Sequence, residues 1–195
     1  MLVLLLFFAA VAVGVVMLLR ARSGVRVKHA VAAGQELCPV ISGTATDGQL
    51  HGTYQNMPVS ASFVVETSGT DEMRSFDYYF FTSLTSAAGG SDWTLSFGGH
   101  GMLGTGHKVW HVASKDADLV ARLNEAGAPA AAERSSVHST FMYRAKDGVL
   151  SSRLPAAHHK TWPDAALFSN QLEVLAALAE CERRATAAAP AATGS

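Results

Sequence analysis

Leu2 to Leu19 form one unbroken apolar run, closed on its far side by Arg20, Arg22, Arg26 and Lys28. Wound into a helix rising 1.5 Å per residue, the run reaches about 27 Å, close to the roughly 30 Å hydrocarbon core of a bilayer. One such helix spans. A cleaved secretory signal has its basic stretch first, then about 7 to 15 apolar residues, then a small-residue cleavage site. Here no Lys or Arg precedes the run, and the small-x-small pattern Ala10-Val11-Ala12 leaves Val13 to Leu19 still to come. In Gln35-Glu36-Leu37-Cys38 the Glu departs from the small residues that a bacterial lipoprotein signal places before its Cys. The expectation is an uncleaved membrane anchor.

Lys and Arg flanking a span are held on the cytoplasmic side. The basic residues all follow the run, which predicts an N-terminus outside and residues 20–195 in the cytoplasm, at the cell membrane. Membrane lipid is thus a partner through residues 2–19. Anionic headgroups would add about 1 kcal/mol for each nearby basic residue, although these residues serve first as a topology signal.

What remains beyond the anchor suffices for one domain with its own core. The formal net charge is −1, and beyond Lys28 the cationic residues are scattered, so the basic field that nucleic-acid binding requires is missing and no nucleic-acid partner is expected. Cys38 and Cys181 have neither CxxC spacing nor a Cys/His cluster beside them, which argues against zinc and against a disulfide framework. A cytoplasmic domain keeps both as thiols, and no cofactor is implied.

Residues 20–37 form a basic juxtamembrane segment, 38–184 a globular domain and 185–195 a tail with too little to bury. Cys38 to Gly48 reads as a loop rich in Gly, Ser, Thr and Pro. From Gln49 the period becomes two. Gln49–Tyr54 and Val59–Val65 form a hairpin through Gln55-Asn56-Met57-Pro58, with Val59, Ala61, Phe63 and Val65 on one face. Arg74–Leu84 is apolar on both faces and therefore central, while Trp93–Phe97 and Lys108–Ala113 form a further pair. Five strands in succession suggest a meander.

Helical spacing then appears from Ser114, read as the N-cap, with Asp116 and Asp118 in the first turn and Gly127 and Pro129 closing it. Val137–Tyr143 and Val149–Leu154 flank Asp147-Gly148, a strong hairpin signal. Pro163 and Asp164 open a last helix whose stripe of Phe168, Leu172, Leu175 and Ala179 must cover something apolar. The expected architecture is α+β: a transmembrane helix, then a mainly antiparallel sheet of about seven strands covered on one face by two helices.

Gly99-His100-Gly101-Met102-Leu103-Gly104 is a literal GxGxxG, yet a dinucleotide site needs it to lead from strand to helix, and here a strand follows. The kinase arrangement, between two strands, lacks every accompanying motif. Glycines in a hairpin loop supply positive φ or close packing. His107 and His111 sit at i, i+4, which on a strand separates them by about 13 Å, too far for one ion. No Gly-x-Ser-x-Gly elbow and no recognisable nucleophilic Cys occurs. Trp93 belongs in the core. His100, His107, His158, His159 and Trp162 are left as the candidate interaction or ligand surface. The expected function is a non-enzymatic cytoplasmic domain on a single-pass anchor, engaged in binding a protein partner or in assembly. The alternative is a small tethered enzyme or a ligand- or metal-binding domain using the Gly/His-rich loop 98–111.

Overall fold

A computed structural model describes residues 34–68, 75–87, 89–99, 108–156 and 162–188 of the chain. The apolar run 2–19 and most of the basic segment lie outside the described residues. Among those described, no helix is long and apolar enough to cross a membrane.

The described residues form eight strands: β1 (Thr44–Thr46), β2 (Gln49–Tyr54), β3 (Met57–Ser68), β4 (Ser75–Thr85), β5 (Trp93–Gly99), β6 (Lys108–Ser114), β7 (Thr140–Arg144) and β8 (Val149–Ala156). They form one sheet in the order β1-β2-β3-β4-β8-β7-β5-β6, antiparallel at every neighbouring pair. A short 3-10 helix, Cys38–Ile41, precedes β1. Three α-helices follow: α1 (Ala117–Glu125), α2 (Ala128–Ala132) and α3 (Ala165–Ala187). The α+β class is therefore as expected.

Several finer expectations are corrected. The segment 38–48 holds the 3-10 helix and β1 rather than only a loop, because β1 is three residues long and too short to show a period. The meander stops at β4, since the β7–β8 hairpin inserts between β4 and β5. The α1 N-cap is Asp116, whose carboxylate accepts from Leu119 N at 3.0 Å, while Ser114 Oγ donates to Asp92 O. Gly127, at φ +84°, does follow α1, but Pro129 starts α2 instead of merely stopping a helix. β7 begins at Thr140, and α3 continues past Arg184 to Ala187.

One face of the sheet carries the core. Phe80, Leu84, Trp93, Leu95, Phe141, Leu150 and Leu154 point from it into Leu119, Leu123, Phe168, Leu172, Leu175 and Leu178 of the helices. β4 lies between β3 and β8, as its two apolar faces require, with Phe80 packed against Phe63, Trp162 and Phe168 at centroid separations of 5.1–5.7 Å within that aromatic group. The outer face is richer in hydroxyls, including Ser60 and Ser83, whose oxygens meet at 2.7 Å across β3 and β4. Val65 follows the core-facing parity of β3 yet is 50% exposed, because β3 runs past the end of the helix layer.

Glycine sets one close approach. A Cβ on Gly52 would stand 2.4 Å from Ile41 O, and one on Gly43 2.2 Å from His51 O, so this pair lets the 3-10 helix lie directly on β2. Gly52→Ala should cost about 1–3 kcal/mol through overpacking. Phe80→Ala should cost about 3–5 kcal/mol by opening a cavity, against no more than about 0.5 kcal/mol for Val65→Ala. Denaturant unfolding of the three variants checks both, and a Phe80→Ala loss as small as that of Val65→Ala would contradict the placement of Phe80 at the centre of the core.

Candidate functional site

The outer flank of α3 does not meet the sheet squarely, and a cleft of about 810 Å³ opens beside it. Its floor is the small side chains Ala176, Ala177 and Ala179, which leave room where larger residues would fill the gap. One wall is the β2–β3 turn, where Gln55 and Asn56 both take positive φ, 49° and 65°, as a tight hairpin turn demands. The other is the end of β4, Thr85 to Ala87. The rim bears Arg134, Glu173, Glu180 and Arg183, two charges of each sign.

The β4 wall is fixed from below. Ser86 N donates to Gly148 O at 2.7 Å, and Gly89 N to Ala145 O at 3.2 Å. The Tyr143 hydroxyl, with one proton to share, stands 2.8 Å from Ala87 O and 3.1 Å from Gly89 O. Ala145 N in turn donates to Asp92 Oδ1 at 2.8 Å. Tyr143 also faces Glu182, a buried carboxyl that accepts from Thr186 Oγ1 at 2.8 Å. Burial holds the Glu182 carboxyl above its ordinary range, opposed by hydrogen bonds from Thr186 and Tyr143. Burial likewise raises the Tyr143 phenol to about 12, with the Glu182 charge adding to it. The Arg134 corner is held by Asn170, whose side-chain amide donates to Arg134 O at 3.0 Å and accepts from Ser136 N at 2.9 Å. On the rim Glu180 pairs with Arg183, and with Arg184 at 3.7 Å.

Chemically the cleft offers hydrogen-bonding turn residues, an aliphatic floor and a rim of mixed charge. Those are groups that hold an extended polypeptide or a zwitterionic ligand. Trp162, the one described residue among those expected from the sequence, does not line it. His100, His107, His158 and His159 fall outside the described residues. Trp162, taken with them as surface, is half-buried, its ring 5.1 Å from that of Phe63 and 5.5 Å from that of Phe80. The glycine-rich string joins β5 to β6, strands paired antiparallel up to Gly99 and Lys108, so no helix follows it. Among the described residues no three His, Cys, Asp or Glu side chains gather as ligands for an ion. Cys38 and Cys181 are separate thiols, donating to Gly34 O and Ala126 O.

The strand ends that flank the histidine-bearing segments lie at one end of the sheet. Ser152 and Leu95 both pair with Phe141, so Ala156 and Gly99, each four residues further along its strand, stand level. His138, just before β7, stacks on Phe97 at 4.0 Å and 4°. Comparison with protein families, with curated proteins and with solved structures finds no match to this chain.

The raised Glu182 carboxyl fixes a sign. Protonation is favoured in the folded state, so the stability this residue contributes is complete below its unfolded value of 4.5 and is lost as pH rises through the folded value. Glu182→Gln should remove that decline. Thermal unfolding of both proteins from mildly acidic to neutral pH checks it, and parallel slopes would contradict the assignment.

Proposed function

We propose that this chain is a membrane-tethered binding module, anchored N-out by residues 2–19, whose cytoplasmic α+β domain holds an extended segment of a partner protein in the cleft beside α3. One observation carries the proposal: a cleft of about 810 Å³ with a small-residue floor, bounded by a tight hairpin turn and by a strand end pinned through Tyr143. A volume of this size lies within the usual range of ligand sites, about 300–1,000 Å³. The mixed-charge rim suits a polypeptide, which presents both signs and backbone amides. Placement in the membrane rests on the apolar run and on the basic residues that follow it.

Solubilising the membranes in detergent and purifying the full chain should recover a stoichiometric protein partner. Ala177→Arg, which fills the floor, should lower that recovery about tenfold, equivalent to about 1.4 kcal/mol of affinity, with the unfolding temperature unchanged. Isolation of the chain alone, or recovery unaffected by Ala177→Arg, would overturn the cleft as the binding site.

A second function, ligand or metal binding by loop 98–111, is supported by one observation: the strand ends flanking the segments with His100, His107, His158 and His159 lie at the same end of the sheet. Metal analysis of the full chain with and without His100→Ala and His107→Ala tests it. Metal content indifferent to both substitutions would remove this function.

A further inference from the structure

We propose that the free edge of β6 is a self-association surface, on which a second copy of this chain docks strand to strand. β6 closes one side of the sheet. β5 pairs with its inner edge over all seven residues, and among the described residues no strand and no backbone hydrogen bond occupies its outer edge. The opposite border is β1, only three residues long, and so short an edge is a poor template for pairing. β6 has length enough, and it exposes Val109 to 46%, one of few large apolar side chains in that state among the described residues.

The strand is its own complement. A twofold axis perpendicular to the sheet keeps the helices of both copies on one side and makes each residue oppose one of the same face. The register that uses all of β6 then sets Lys108 against Ser114, Val109 against Ala113 and Trp110 against Val112, with His111 on the axis. Two Val109–Ala113 contacts thereby cover apolar surface that a single copy leaves in water, and the outward backbone groups of β6 gain partners. No like charges oppose in this register, since Lys108 is the one Lys, Arg, Asp or Glu of β6 and it meets Ser114. β1 has neither the length for such a pairing nor an apolar side chain beyond Ala45.

The experiment uses the purified full chain in detergent, with nothing else present, so its outcome is independent of any partner in the α3 cleft. Sedimentation should show a concentration-dependent dimer, weakened about tenfold by Val109→Glu. Mild oxidation supplies a test of register. Across the axis the two His111 Cα atoms would lie about 4.5–5.5 Å apart, within disulfide reach, so His111→Cys should give a cross-linked dimer. Val109→Cys, more exposed, would have its two copies about 13 Å apart and should cross-link far less. A chain monomeric at every concentration would overturn the proposal, as would cross-linking by Val109→Cys that equals or exceeds that by His111→Cys. A β6 edge that serves a different protein's strand also gives the monomer.

Discussion

Everything in this domain depends on covering one face of a broad sheet. Eight strands at about 4.8 Å make a layer close to 35 Å wide, and its helix side carries Phe80, Leu84, Trp93, Leu95, Phe141 and Leu150. α3, with 23 residues and therefore about 35 Å long, is the one helix among the described residues able to reach across it. Its buried positions Phe168, Leu172, Leu175 and Leu178 recur at the three- and four-residue steps of a helix face, and α1 and α2 close what is left near β6 with Leu119, Leu123, Ala128 and Ala131. Burial on this scale is the dominant favourable term in folding. The outer face needs no such cover, because hydroxyls such as Ser60, Ser62 and Ser83 can meet water or one another.

The cleft is a by-product of that packing which has been made rigid. A straight helix laid over a twisted sheet diverges from it at a corner, and the alanines on this flank of α3 do not fill the divergence. A gap alone would be of little use if its walls moved. Tyr143 ties the strand end to the β7–β8 hairpin, Asp92 adds a second tie, and Asn170 holds the Arg134 corner. Placing a carboxyl such as Glu182 beside Tyr143 costs stability unless the carboxyl is protonated or hydrogen-bonded. Thr186 and Tyr143 supply those bonds, so the cost is borne where the cleft wall meets the C-terminal half of α3.

Local pattern carried the elements and little of their arrangement. The alternation in Val59–Val65 and Trp93–Phe97, the Asp147-Gly148 turn and the Asp164 N-cap each act within a few residues, so each was legible. Pairing of β4 with β8 joins residues far apart in the sequence and is decided by which strand best satisfies a doubly apolar neighbour, a competition no short window contains. Ser114 and Asp116 are both good caps, and only the path of the chain past Asp92 decides that Ser114 bonds there instead. The cleft was illegible for a similar reason. Gln55, Thr85, Arg134 and Ala177 come from four elements, and each alone is an ordinary surface residue. Trp162 was misleading because its neighbours His158 and His159 suggested a polar surface, whereas its indole had the Phe63 and Phe80 rings to cover.

The two ends of the sheet are therefore different places. β4 runs its 11 residues, about 35 Å, from Ser75 at the end where the histidine-bearing segments leave the sheet to Thr85 on the cleft wall. Sites so far apart, sharing no side chain, respond to substitution independently unless a two-state element couples them. Gly34 lies beside Ala45, Leu50 and Trp162, and Leu50 is level, through Ala61, with Thr82, three residues from the Thr85 end of β4.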